Sequence, residues 1–131
     1  MKMDTGVQRE SRGQKLKSTE AVVKNHLKCF GEGDLEGILS DYAPAAVLFT
    51  TDGILRGREA IRELFVAMLA EFGQPGTAFT LQELLVDGDH AFISWTAETS
   101  DHLYELGTDT FYVPDGKIAV QSFASRKTEK A

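Results

Sequence analysis

A chain of 131 residues, 42% hydrophobic and 26% charged, has the length and balance of one globular domain around one core. A net charge of -6 and an isoelectric point near 5.0 disfavour nucleic acid and anionic membranes as partners. The single cysteine, Cys29, excludes an intrachain disulfide.

Residues 1–17 are polar, mixed in charge and without an apolar period. They are expected to be a disordered or tag-derived arm, followed by one domain over 18–126 and a polar tail over 127–131. The N-terminus lacks the apolar core of a signal peptide. No apolar run approaches the roughly 18 residues of a membrane span, and the expected location is cytoplasmic.

Ser18 or Thr19 caps a first helix, with Glu20 favourably placed in its first turn. Val23, Leu27 and Phe30 recur at helical spacing, with Val22 and His26 beside them, to about Gly31. Asp34 caps a short second helix that carries Leu35, Ile38, Leu39 and Tyr42 on one face, and Ala43-Pro44 ends it. An apolar strand over 45–50, a turn at Thr51-Asp52-Gly53 and a short strand over 54–56 follow. Gly57 opens a third helix with an apolar stripe of Ile61, Leu64, Phe65, Met68, Leu69 and Phe72, stopped by Gly73-Gln74-Pro75-Gly76.

From Thr77 the chain breaks into four segments of strand-forming residues. They are separated at Asp87-Gly88-Asp89, Ser100-Asp101 and Pro114-Asp115-Gly116, short links that make neighbours antiparallel. The expected fold is α+β: three N-terminal helices packed in the concavity of a curved, mainly antiparallel sheet, a cone-like α+β barrel. Its concavity suits a small hydrophobic ligand. The segment from Ala91 to Ala97 is apolar on both faces, which suggests that the outer face is also covered, most simply in a homodimer.

In the hairpin over 104–123, strand alternation places Gly107, Asp109, Phe111 and Val113 on one face. Phe111 and Val113 suit a pocket floor, so Asp109 is expected to point inward. A carboxyl in an apolar pocket has a raised pKa and can shuttle a proton, although a buried Asp bonded only to its surroundings is the plainer alternative. His26, on the apolar side of the first helix, has a near-neutral intrinsic pKa suited to proton transfer. Ser94 and Thr96 are expected inward and Trp95 toward the dimer face, an assignment that a slip of one residue reverses. Phe65, Met68, Leu69 and Phe72 have the spacing that helix packing alone requires. Arg56, Arg58 and Arg62 read as a solvated face, and Cys29 as a small core residue. The histidines His26, His90 and His102 form no spaced ligand pair, and there is no phosphate loop or nucleophile elbow, so neither metal nor cofactor is expected.

The runs Gly33-Asp-Leu-Glu-Gly-Ile-Leu39, Tyr42-Ala43 with its strand, Arg56-Gly-Arg-Glu-Ala-Ile-Arg-Glu-Leu-Phe65 and Asp109-Thr-Phe-Tyr-Val-Pro-Asp-Gly-Lys-Ile118 resemble the SnoaL-like and ketosteroid-isomerase-like families of the nuclear-transport-factor-2-like superfamily. The resemblance covers residues 19 to 126. None of these runs is specific for a reaction, since such a fold hosts enzymes and binding modules alike. The resemblance implies that Asp109 stands where the isomerases carry a protonated aspartic acid. It implies that His26 stands where they carry a donor tyrosine, and Thr50 where they carry the carboxylate base. The missing carboxylate at Thr50 disfavours ordinary steroid isomerisation; Asp52, two residues on, lies at the turn. The SnoaL-like cyclases carry a general acid/base aspartate in the same sheet region as Asp109.

Gln121 and Phe123 share one face of the last strand, which the resemblance implies is turned inward. The expected ligand-binding set is Phe30, Tyr42, Thr50, Phe65, Met68, Ser94, Thr96, Phe111, Gln121 and Phe123, around a catalytic pair of Asp109 and His26. The expected function is a cofactor-independent isomerase or cyclase-type enzyme acting by proton transfer on a small carbonyl compound. The alternatives are a non-catalytic ligand-binding or dimerisation module, and a hydrolase or dehydratase using a pocket water.

Overall fold

The structure, a computed structural model, describes residues 17–130. The arm expected at the N-terminus lies outside the described residues apart from Lys17. Helix α1 (Thr19–Glu32) starts at Ser18, whose hydroxyl accepts from the Ala21 N–H at 3.1 Å. It ends at Gly33, whose φ of 73° is the left-handed conformation that glycine adopts without a Cβ penalty. Its exposed side carries the ion pairs Glu20–Lys24 and Lys28–Glu32, one turn apart. Its other side buries Val22, Val23, His26 and Cys29.

Helix α2 (Leu35–Ser40) is capped by Asp34, which accepts from the Gly37 N–H at 3.0 Å. It is shorter than its apolar spacing predicts. Asp41 is buried, and both its carboxylate oxygens accept from the Asn25 side-chain amide, at 2.9 and 3.1 Å, which ties the chain to α1 at this point. Tyr42 therefore leaves the helix and begins β1 (Tyr42–Thr50). Pro44 lies inside this strand rather than before it. It is tolerated because the pairing of β1 with β6 is irregular between Tyr42 and Val47, so no ladder donor is needed there.

Strand β2 (Gly53–Arg56) returns antiparallel to β1 and leads into α3 (Gly57–Phe72), which buries Ile61 and Phe65. Arg58, in the first turn of α3, donates through Nε and Nη2 to the Tyr42 carbonyl. That arginine belongs to the fold and not to a solvated face. Strands β3 (Ala78–Asp87), β4 (His90–Glu98), β5 (His102–Tyr112) and β6 (Ile118–Glu129) follow as an antiparallel meander.

The six strands form one sheet in the order β2-β1-β6-β5-β4-β3, with β1 and β6 the one parallel pair. The helices pack on its inner face, as the α+β reading anticipates. Residues 127–129, read in the sequence as part of a polar tail, extend β6 and pair with His102, Leu103 and Tyr104. Their polarity marks the exposed end of a strand, not the end of structure.

Candidate active site

The inner face of β5 carries Gly107, Asp109 and Phe111, all buried, while Thr110 and Tyr112 face out. Ile93 lies directly across from Asp109 and Trp95 across from Gly107, so these β4 residues share its face. On the other side, Phe123 lies across from Asp109 and Gln121 across from Phe111. Between this face and helices α1 and α3 is a cavity of about 40 Å³. Its walls are largely apolar: Leu27 and Phe30 from α1, Leu64, Phe65, Met68 and Phe72 from α3, Leu48 from β1, Phe79 from β3, Ile93 and Trp95 from β4, and Phe123 from β6. His26, Asp109 and Gln121 supply its polar groups.

Asp109 is 8% exposed and accepts one hydrogen bond on each oxygen. The Trp95 indole N–H donates to Oδ1 at 2.9 Å, and the Gln121 amide donates to Oδ2 at 2.8 Å. The Gln121 carbonyl accepts from the Tyr42 hydroxyl. Burial raises the Asp109 pKa to about 6, against the opposing pull of the two donors, which favour the ionised form. The Tyr42 hydroxyl is held well above its ordinary pKa by burial and by the nearby Asp109, so it stays protonated.

His26 is 5% exposed, edge-on to Tyr42, Phe65 and Phe111 with ring centroids 5.5 to 5.9 Å away. Burial lowers its pKa to about 4, leaving a neutral imidazole at neutral pH. Its Nδ1 is buried with no hydrogen-bond partner among the described residues. His26 and Asp109 thus line one cavity, yet no hydrogen bond or ion pair joins them among the described residues. Asp109 is satisfied instead by Trp95 and Gln121, and burial raises its pKa.

Of the other expected ligand-binding residues, Phe30, Phe65, Met68, Gln121 and Phe123 line the cavity. Tyr42 and Phe111 lie behind them, against His26 and, for Tyr42, bonded to Gln121. Thr50 is not at the cavity. Its hydroxyl donates to the Gly53 carbonyl and accepts from the Asp52 N–H, closing the β1–β2 turn, and Asp52 is exposed beside it. Ser94 and Thr96 are also corrected, since the register of β4 against Asp109 turns them to the outer face. There Ser94 reaches Glu83 at 3.4 Å.

The same register brings Trp95 inward rather than to an outer interface. The signal for this was Gly107. A Cβ at that position would stand 2.2 Å from the Trp95 ring, so only glycine lets the indole lie against β5. A second polar cluster was not anticipated. Glu71 at the end of α3 accepts from Thr99, at 2.7 Å, and from Tyr104, at 3.0 Å, and lies 2.9 Å from His102 Nδ1. Burial works to raise the Glu71 pKa, but these partners outweigh it and hold it below the ordinary value. Among the described residues no group of three or more His, Cys, Asp or Glu is placed to hold a metal ion. No helix there is long and apolar enough to cross a membrane.

The architecture matches solved structures at low identity. A Kribbella flavida protein described as a candidate ketosteroid isomerase superposes with a TM-score of 0.69, at 18% identity over 86% of this chain and 81% of that one. A Sinorhizobium meliloti protein described as a candidate polyketide cyclase gives 0.65, at 22% identity over 78% and 92%. SalBIII, described as an epoxide hydrolase/cyclase-like enzyme in pyran ring formation in the polyether salinomycin, gives 0.70, at 19% identity over 82% and 90%. At such identities these likenesses establish the fold alone. No curated protein matches the chain by sequence. The family model for the SnoaL-like domain matches residues 23–121, from the first helix to the glutamine that holds Asp109, and the chain therefore belongs to the SnoaL-like family.

Proposed function

We propose that this protein is a cofactor-independent enzyme of the isomerase or cyclase type that moves a proton on a small hydrophobic carbonyl compound. Asp109 takes the proton from carbon and returns it, and neutral His26 holds the carbonyl oxygen as negative charge develops there. The observation that carries this reading is the unpartnered Nδ1 of His26, buried beside a cavity that also contains Asp109. Buried polar atoms are almost always hydrogen-bonded, so a lone one at a cavity points to a partner that a ligand supplies. A carboxyl with a pKa of about 6 is suited to accept and release protons near neutral pH. The structural neighbours named for isomerase and cyclase chemistry agree with this class.

A cavity of about 40 Å³ admits a small reacting group rather than a whole drug-sized molecule. The remainder of a larger ligand would lie against Phe79, which is 39% exposed, at the open side. The test is deuterium incorporation from solvent at the α-carbon of a panel of small cyclic ketones and enones, followed by NMR. The wild type should accelerate exchange for at least one member. Asp109→Asn should slow that exchange by about 100-fold or more while keeping the circular dichroism of the fold. Equal rates in the two proteins would remove Asp109 from the chemistry.

The narrow cavity and the retreat of Thr50 into a turn favour a second reading, a non-catalytic small-ligand or dimerisation module. In that case ligands would change the fluorescence of Trp95, a cavity wall, without any acceleration of exchange. Either reading includes a homodimer formed through the outer sheet face, supported by the exposed Phe49, Ile54, Leu106 and Tyr112. A cytosolic setting is proposed from the one free, buried cysteine.

A further inference from the structure

Asp109, Gln121, Tyr42 and Trp95 form one chain of hydrogen bonds, and its polarity carries a consequence for the site. An indole N–H only donates, so Oδ1 of Asp109 accepts whatever the charge of the carboxyl. An amide donates from one end and accepts at the other, so Gln121 can be set in two ways. With Asp109 ionised, the amide NH2 faces Oδ2 and the carbonyl takes the Tyr42 hydroxyl hydrogen, as observed. With a proton on Oδ2, the carboxyl becomes a donor. If that donor is aimed at Gln121 the amide must turn over, its carbonyl accepting from Asp109 and its NH2 facing the Tyr42 oxygen, which leaves the Tyr42 hydrogen without its acceptor. Within the network only the ionised setting pairs all three groups, and Tyr42 and Gln121 are both almost fully buried, so the arrangement favours the carboxylate.

We propose that Tyr42, Gln121 and Trp95 are positioning residues that hold Asp109 ionised and present it to the cavity as a proton acceptor. This rests on the reading of Asp109 as the group that moves the proton. It departs from the role implied by the isomerase resemblance, in which the aspartic acid at this position is a protonated donor. In the forward step a substrate C–H bond breaks and its proton goes to Oδ2. The electron pair stays with the substrate as an enolate. The reverse sequence returns the proton to carbon and restores the starting pattern. Gly107 belongs to the same device. With a Cβ at this position the Trp95 ring could not lie across β5 and reach the carboxyl two residues along.

The titratable groups facing Asp109 are few. Helix α1 presents His26, and Tyr42 of β1 reaches it through Gln121. From α3, β3 and β4 the cavity receives only apolar side chains and the Trp95 indole.

The test needs no substrate. The chain has one tryptophan, so a single indole 15N–1H signal reports the contact to Oδ1. Across a pH titration of the labelled protein, the Gln121 amide signals and the indole signal should move with the same midpoint as the Asp109 carboxyl carbon. Tyr42→Phe, which removes the donor that holds the amide in its ionised-state setting, should raise that midpoint by about half a pH unit, a threefold change in proton affinity. Gln121→Leu, which removes a donor outright, should raise it by about one unit or more. If Gln121→Leu does not fold, Tyr42→Phe alone decides. Gln121 signals that stay still while Asp109 titrates, or a midpoint unmoved in Tyr42→Phe, would overturn the proposal. The two readings fail separately: coupled titration without any exchange activity defeats the enzyme, whereas activity lost in Asp109→Asn with uncoupled titration defeats only the positioning network.

Discussion

Burial acts on Asp109 and His26 with one cause and opposite effects on pH. The Asp109 pKa rises from an ordinary 3.8 to about 6, so between those values the folded chain holds a proton that the unfolded chain has lost, and stability falls as pH rises. The His26 pKa falls from 6.5 to about 4, so between those values the unfolded chain holds the extra proton, and stability rises with pH. In the wild type the two effects largely cancel between about pH 4.5 and 6.5. In Asp109→Asn only the His26 effect remains. Urea unfolding of that variant should show a free energy that climbs across this window by about 2 kcal/mol more than in the wild type. Matching profiles for the two proteins would show that folding leaves the Asp109 pKa at its ordinary value.

At the scale of elements, α3 is fastened to the β4–β5 hairpin by one carboxylate. Glu71 accepts from Thr99 and Tyr104 and meets His102, and the Thr99 hydroxyl in turn accepts from the backbone N–H groups of Asp101 and His102. Replacing Glu71 leaves several buried or half-buried donors without an acceptor. Glu71→Ala should therefore destabilise the fold by about 2 to 3 kcal/mol, measured as a drop in thermal midpoint. Because none of the cluster's residues lines the cavity itself, ligand-induced changes in Trp95 fluorescence should persist below that midpoint. A loss below about 0.5 kcal/mol would mean that the cluster is an exposed network of little weight.

For the molecule as a whole, the curved sheet leaves an outer face to account for. Thr108 lies across from Ala124 and Thr110 across from Ser122 at its centre, with the Thr110 and Ser122 hydroxyls bonded to one another. Phe49, Ile54, Leu85, Leu103, Leu106 and Tyr112 are exposed around them. A centre of small uncharged residues ringed by apolar ones suits a two-fold interface, where like faces meet without charge repulsion. Analytical ultracentrifugation should give twice the chain mass of 14.4 kDa. Ala124→Arg, which sets a charge opposite its own symmetry mate or neighbours, should give the single chain mass with the fold intact. A monomeric wild type would leave this face to another partner.

The sequence by itself determined the element order, because helical spacing, caps and turn residues are local signals. Ser18, Asp34 and Gly33 act where they stand, and the strand breaks at Gly88 and Gly116 need no distant information. It also determined that Asp109 shares a face with Phe111, since alternation along one strand is a property of that strand. Tertiary structure alone decided which face of β4 turns inward. Period-two alternation has two solutions, and only the register against β5 places Trp95 over Gly107 and beside Asp109. Tertiary structure likewise decided that Tyr42 starts a strand and that residues 127–129 pair, because partners far along the chain override local propensity. It also decided that Asp109 is held by Trp95 and Gln121 while His26 stands apart. Hydrogen bonding depends on distance and direction in space, and neither is encoded in spacing along the chain.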